Sequence, residues 1–219
     1  MKLSIDSSIK KKCPSVALGL VTANVHTSDS RLELLAEMEN CEAGILKNVD
    51  PRALLDAPAI SATRSGYRAL GKDPARYRGS AEALLRRIIS GKHFPSVNCV
   101  VDIINLVSVE SRLPIGLYDL AHVQGDIVFR AGRKGETYKG IGKYDLNLED
   151  LPVFSDAAGP HGSPTSDSER TMVTPSTERV AAILISFAGA QSLEAWCRRM
   201  AGLLEKYVQG RDVRTDTIT

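Results

Sequence analysis

The residues from Asp156 to Thr174, DAAGPHGSPTSDSERTMVT, gather side chains that can do chemistry. Small, hydroxylic and charged types of this kind cannot build a core. A loop of such length between two apolar strands is more often a binding or active-site loop than a spacer. Gly159 and Gly162 permit close backbone approach, and Ser163, Thr165, Ser166 and Ser168 offer hydroxyl donors at short spacing, a set suited to a carboxyl, ester or phosphate oxygen. The titratable members are His161, Asp167, Glu169 and Arg170. His161, at an ordinary pKa of ~6.5, takes or gives a proton near neutrality, unless it is only a solvent-exposed loop residue. Arg170 can hold a ligand carboxylate or pair with Asp167. A triad can be written from Ser163, His161 and Asp156, but no nucleophile elbow fixes it, and adjacent loop residues rarely face one another.

Such a loop needs a rigid partner, and Asn98 to Gly125, NCVVDIINLVSVESRLPIGLYDLAHVQG, supplies one. Val100, Val101, Ile104, Leu106 and Val107 leave almost no solvent-facing side, so a helix here is buried nearly all round and central to a core. Asp102 and Asn105 are its polar exceptions, and each needs a specific partner or open water. Pro114 and Gly116 are expected to stop the helix in a sharp turn, and Asp119 stands where an N-cap would open a short helix.

The string V-V-D-I-I-N-L-V from Val100, then P-I-G-L-Y-D-L from Pro114 and Gly125-Asp126-Ile127-Val128, resembles the editing domain of the phenylalanyl-tRNA synthetase beta subunit, its third and fourth B modules. The family pattern there reads roughly V-V-D-x-T-N-Y-V and G-Q-P-L-H-A-F-D, and the resemblance runs from about Arg64 to about Ser186. Proteins of this type detached from any synthetase are also familiar. Two departures stand out: Gly116 occupies the place of the family histidine, and Ile104 that of the threonine. The resemblance implies hydrolysis of a mischarged aminoacyl-tRNA ester by a positioned water, without a covalent enzyme intermediate. A synthetic pocket separates amino acids differing by one small group by only ~1–3 kcal/mol, which is why a second, hydrolytic pocket is needed.

On this reading Asn98, Asp102 and Asn105 organise the pocket floor, Pro114 to Asp119 form one wall, with Pro114, Gly116 and Asp119 its binding candidates, and Ser163 to Thr171 form the other. Gly162, Thr165, Ser166 and Thr171 are the binding candidates on that side, and His161, Ser163, Asp167 and Arg170 are the catalytic candidates, with the tRNA terminus a possible partner of Arg170. The partner is tRNA through its aminoacylated end. Between residues 64 and 92 the charges are strongly positive: Arg64, Arg68, Lys72, Arg76, Arg78, Arg86, Arg87 and Lys92 stand against Asp73 and Glu82. Tyr67 and Tyr77 interleave, as a surface contacting phosphates and stacking a base requires, or as a solvated helical face with two core tyrosines would show. Two other functions remain open: a module that binds tRNA or an amino acid without hydrolysis, and a hydrolase of small amino-acid esters or amides.

Composition bounds these readings. At 219 residues the chain suffices for one substantial domain and is too short for a synthetase with an activation module. A net charge of +2 is only a mild bias toward anions. Cys13, Cys41, Cys99 and Cys197 form no metal-ligand spacing and no disulfide framework, so no metal and no cofactor is expected. Lys10-Lys11-Lys12 precedes an apolar run without a convincing cleavage site, and no run approaches a membrane span, which points to the cytoplasm and away from membranes. Gly140-Ile141-Gly142-Lys143 has the composition of a phosphate loop but not its spacing.

The remaining punctuation gives the elements. Strands are expected over 2–5, 15–25, 151–156 and 179–187, and helices over 31–41, in two pieces over 50–70, from Ser80 to Ile89, and over 191–207. A hairpin is expected between 126–130 and 136–139 around Gly132 to Gly135. The order predicts an α+β single domain, a mixed and largely antiparallel sheet packed against helices, spanning 1–210, with 211–219 as a flexible C-terminal tail.

Overall fold

The computed structural model describes residues 1–142 and 144–219; Lys143, and with it the end of the Gly140 to Lys143 motif, lies outside the described residues. The architecture is α+β. Its strands are β1 (Leu3–Ile5), β2 (Ala17–Asn24), β3 (Ile115–Asp119), β4 (Ile127–Ala131), β5 (Thr137–Lys139), β6 (Asp145–Asn147), β7 (Pro152–Asp156), β8 (Gly159–Gly162), β9 (Arg179–Ser186) and β10 (Arg211–Ile218). Its helices are α1 (Ser7–Lys10), α2 (Leu32–Asn48), α3 (Pro58–Leu70), α4 (Ser80–Ile89), α5 (Cys99–Ser111) and α6 (Leu193–Val208). The single sheet of the sequence reading is resolved into two four-stranded sheets, ordered β10-β2-β9-β3 and β1-β4-β7-β8, and the pair β5-β6. All pairings are antiparallel except β1 with β4.

The β10-β2-β9-β3 sheet is central because both of its faces are buried. On one face Val21, Ala182 and Leu184 meet the helices through Ile103, Leu106 and Val107 of α5, Met200 and Leu204 of α6, and Leu85 of α4. On the other, Leu18, Ile183 and Ile185 meet Ile127, Phe129 and Phe154 of the second sheet. A strand covered on both sides reads as a continuous apolar run, which is why RVAAILIS shows no alternation. In α5 most side chains are buried, as its composition predicts, and Asn98 caps it by accepting from the Val101 N–H at 3.0 Å.

Four expectations are corrected. The segment 211–219 is not a free tail: Arg211–Ile218 is β10, paired to β2 along the edge of the central sheet. Strand β4 does not form a hairpin with β5, because its edges are taken by β1 and β7, and Gly132 continues the β4–β7 ladder by bonding residues 150 and 151. Helix α5 ends at Arg112, which takes the left-handed conformation at φ 61°, so Pro114 follows the stop and Gly116 lies within β3. Helix α2 runs past Cys41 to Asn48. The Asp119 expectation holds: its carboxylate caps the 3₁₀ turn Leu120–His122 by accepting from the Ala121 N–H at 2.9 Å.

Candidate functional site

Three phenols from three elements fasten the segment 163–167. Tyr67 of α3 shares a hydrogen bond with Thr165 Oγ1 at 2.8 Å, and Tyr118 of β3 donates to Asp167 Oδ1 at 3.0 Å. Tyr138 of β5 donates to the Ser166 carbonyl at 2.5 Å and to Ser163 Oγ at 3.0 Å. Burial pushes all three phenol pKa values upward, so each is a neutral donor or acceptor at physiological pH. Tyr118 needs unusual room. A Cβ on either Gly116 or Gly162 would lie 2.1 Å from its hydroxyl oxygen, so both positions require glycine for close approach, not for backbone freedom.

Between this fastened segment and α5 lies a cavity of about 470 Å³. Its floor is one stripe of α5, Val101, Ile104 and Asn105, at i, i+3 and i+4, extended by Val97. Ile115 and Leu117 of β3 form a second side, and Ser163, Ser166, Asp167 and Met172 to Pro175 a third, with Ile141 and Ser80 completing the wall. An apolar cleft with a few polar groups is the usual form of a small-molecule site. The Ser80 hydroxyl oxygen is buried and has no hydrogen-bond partner among the described residues, and the Asn105 side chain makes no hydrogen bond to any of them. The Asp167 carboxylate reaches the wall while accepting from the Leu117 N–H at 3.1 Å and from Tyr118.

The cavity therefore brings together Asn105, Ser163, Ser166 and Asp167 of the residues singled out in the sequence, and leaves the others outside it. His161 is fully buried, edge-on to the Tyr118 ring at 4.5 Å, with Nδ1 3.4 Å from Thr171 Oγ1 and with Nε2 unpartnered among the described residues. Burial lowers its pKa to about 4, against the pull of Asp156, so the ring is neutral at neutral pH and is not an exposed loop histidine. The Ser163 hydroxyl accepts from Tyr138, from the Thr165 N–H at 3.3 Å and from the Ser166 N–H at 3.2 Å, and donates to the Ser166 carbonyl at 2.9 Å. That oxygen is engaged on every side. Arg170 forms a bidentate pair with Asp156, at 2.9 and 3.1 Å, and also donates to the His122 and Gly159 carbonyls. Burial opposes the charge on Asp156, but Arg170 and the Gln124 N–H outweigh it and hold that carboxyl below its usual range.

Of the expected floor, Asn98 is the cap of α5. Asp102 accepts from Ser30 Oγ at 2.7 Å and from the Val97 N–H at 3.1 Å, tying down two loops at the start of α5 while burial raises its pKa. Pro114 and Gly116 sit behind the wall, and Asp119 accepts from Thr177 Oγ1 at 2.7 Å. Gly162, Thr165 and Thr171 position their neighbours without lining the cavity. Ile115 and Leu117 fall within the expected Pro114 to Asp119 wall, whereas the sequence does not single out Val97, Ile141, Met172, Val173 and Pro175 as lining, because such residues read equally well as core. A signal was present in α5. Asn105 is an amide inside an apolar run, and it stands one turn from Val101 on the stripe of that helix that is half-buried and faces the cavity.

The basic residues between 64 and 92 are organised around an acid. Glu82, 3% exposed, pairs with Arg64 at 3.0 Å, Arg86 at 2.8 Å and Arg78 at 3.5 Å. Lys72 and Arg76 lie over the Tyr77 ring at 4.4 and 5.6 Å, occupying the aromatic face expected to stack a base, and Tyr67 is core. Arg87 donates to the His93 carbonyl at 2.6 Å, and Arg68 is exposed. Among the described residues no His, Cys, Asp and Glu cluster is placed to hold a metal, and no helix is long and apolar enough to cross a membrane.

The sequence pattern of the B3/4 domain matches residues 62–199, more than half of the chain. Among solved structures, the chain is similar to an N-terminal fragment of the phenylalanyl-tRNA synthetase beta-subunit from Pyrococcus horikoshii, at 15% identity and a TM-score of 0.50, over 99% of this chain and 50% of that one. The chain thus spans about half the length of that fragment, and the likeness is one of fold. A comparison with curated proteins gives no match.

Proposed function

The chain belongs to the B3/4 domain family, and from that premise we propose that it takes the aminoacyl end of a charged tRNA into the cavity between α5 and the segment 163–175 and hydrolyses the ester with a positioned water. The observation that carries this reading is the composition of the cavity. Val101, Ile104, Ile115 and Leu117 suit an apolar aminoacyl side chain, while Asp167, Asn105 and Ser80 supply polar groups at its wall. Asp167 is suited to the α-ammonium group, and Asn105 and the Ser80 hydroxyl to the ester carbonyl or the attacking water. The water route is favoured over a covalent one, because the Ser163 oxygen is engaged on every side and His161 is buried outside the cavity. On this reading His161, Ser163 and Arg170 hold the wall in place.

The test is deacylation of a panel of mischarged tRNAs by the full chain. Hydrolysis of one or more pairs well above the buffer rate is expected, and buffer-level rates for every pair overturn the proposal. A second reading, an aminoacyl-tRNA binding module without turnover, is favoured by one specific observation: at Gly116, where the resembling family has histidine, the Tyr118 hydroxyl fills the space a side chain would need. Binding of charged tRNA that only protects its ester would establish that reading instead.

A further inference from the structure

A second concavity lies at the end of the central sheet, where β2 stops and β9 and β10 begin. It is a trough in two adjoining parts, of about 510 and 490 Å³, which share Asn24 and Arg179. Strand pairing sets Arg179 and Arg211 opposite Asn24 from its two sides, and Arg214 opposite Thr22. Thr22 and Asn24 are two residues apart and so present to one face of the sheet.

Three arginines that hold no carboxylate among the described residues converge on this one concavity, in contrast to the arginines that anchor acids elsewhere. Arg64, Arg78 and Arg86 hold Glu82, Arg130 holds Glu136, Arg170 holds Asp156, and Arg199 holds Glu37 and Glu110. Among the described residues Arg179, Arg211 and Arg214 hold no carboxylate, and all three are exposed. Two acids line the trough, Glu178 and Asp212, and the second is bound by the Asn24 amide at 2.7 Å. Guanidinium groups do not lose their charge at any physiological pH, so cations in excess around one concavity call for an anion of matching shape. Among the described residues no Phe, Tyr or Trp lines either part and His26 is the one ring there, so the three guanidinium groups favour the sugar-phosphate backbone as the ligand over stacked bases.

We propose that this trough binds the phosphodiester backbone of a single-stranded RNA end, in place of the basic face of α3 and α4. The choice of RNA over another polyanion rests on the tRNA reading above. The location supports it: Pro175 lines the aminoacyl cavity and Arg179 the trough, and four residues of chain separate their Cα atoms by at most ~14 Å. A strand whose terminal acyl group occupies the cavity has its preceding phosphates within reach of the three arginines.

The experiment measures fluorescence anisotropy of a labelled, unacylated single-stranded oligoribonucleotide against the full chain over a salt series. Three neutralised phosphates at ~0.7 each give a slope of log K against log salt of about −2. The triple variant Arg179→Gln, Arg211→Gln, Arg214→Gln should bind roughly tenfold more weakly or worse at low salt and lose most of that slope, while the triple Arg→Lys variant keeps both. The proposal is overturned by a wild type that does not bind the oligonucleotide or by a Gln variant that binds as tightly as wild type. A loss that appears instead in Arg78→Gln, Arg86→Gln, or binding of polyglutamate in preference to RNA, overturns it as well. Because the probe carries no ester, RNA binding lost in the Gln variant of a protein that deacylates nothing supports the trough while removing the hydrolytic reading.

Discussion

Tyr118 donates its hydroxyl to the Asp167 carboxylate at 3.0 Å through a gap that exists only because residues 116 and 162 have no side chain. The bond joins the central sheet to the cavity wall. Tyr118→Phe removes a hydrogen bond to a charged group and should cost about 2 kcal/mol in chemical denaturation. Gly116→Ala forces a methyl against the phenol oxygen and should cost about 1–3 kcal/mol. The double variant should then be somewhat more stable than the sum of the two predicts, since the nearest obstructing atom, the phenol oxygen, is gone while the ring Cζ at 2.7 Å still crowds the methyl. Strict additivity would mean the hydroxyl does not occupy that gap.

Val101 is half-buried on the open stripe of α5, so a larger side chain there enters the cavity before it disturbs the core. Val101→Trp should leave the thermal unfolding midpoint nearly unchanged and reduce binding or deacylation of charged tRNA by roughly a hundredfold, the effect of filling an apolar pocket. Asn105→Ala should lower turnover more than affinity. Activity retained in Val101→Trp would place the aminoacyl site elsewhere.

The buried His161 makes stability pH-dependent in a defined window. Its pKa is depressed from 6.5 to about 4 in the folded chain, so between these values the unfolded chain binds a proton that the folded chain refuses. The stabilisation is fully present above about pH 6.5 and is lost as pH falls toward about 4. His161→Leu should flatten the urea midpoint over that window, and should retain deacylation at neutral pH, since the ring does not line the cavity. The depressed Asp156 acts lower, its contribution being lost only as pH falls through the folded-state pKa, below the usual carboxylate range. A wild-type midpoint that does not change between pH 7 and pH 4.5 would contradict the assignment.

Glu82 is the acid on which three arginines converge, and its removal strands Arg64, which is itself 13% exposed. Glu82→Gln should destabilise the chain by about 3 kcal/mol, the cost of leaving a largely buried cation unpaired, whereas Arg78→Gln and Arg86→Gln, which remove arginines that are themselves 43% and 40% exposed, should each cost under about 1 kcal/mol. Denaturation midpoints decide it, and equal losses in all three would show that the carboxylate is not organised around Arg64.

Much of the fold was legible from the chain because its signals are local. The apolar runs of β2 and β9, the all-round burial of α5 and the Asp119 cap follow from residue types and spacing. The facing of α5 and the 156–174 loop was also expected, and the cavity lies where they meet. What escaped is non-local or chemically ambiguous. Strand β10 carries Val213, Thr215 and Thr217 at a two-residue period, but as an exposed edge strand it has too little apolar surface to announce itself. The partner of β4 is decided by which edges β1 and β7 reach, and a glycine-containing turn cannot reveal that. The burial and partners of His161, Ser163 and Arg170 were not legible because a loop of small polar residues looks solvated, while here the phenols of Tyr67, Tyr118 and Tyr138 draw part of it inward.

That tethering has a kinetic corollary. Since the 163–167 wall is anchored from a helix and two separate strands, its conformational entropy is surrendered once, when the chain folds, and little is left to surrender when a ligand arrives. Capture in a stopped-flow measurement should accordingly show an observed rate that climbs linearly with ligand concentration, without the plateau that a loop rearrangement would impose.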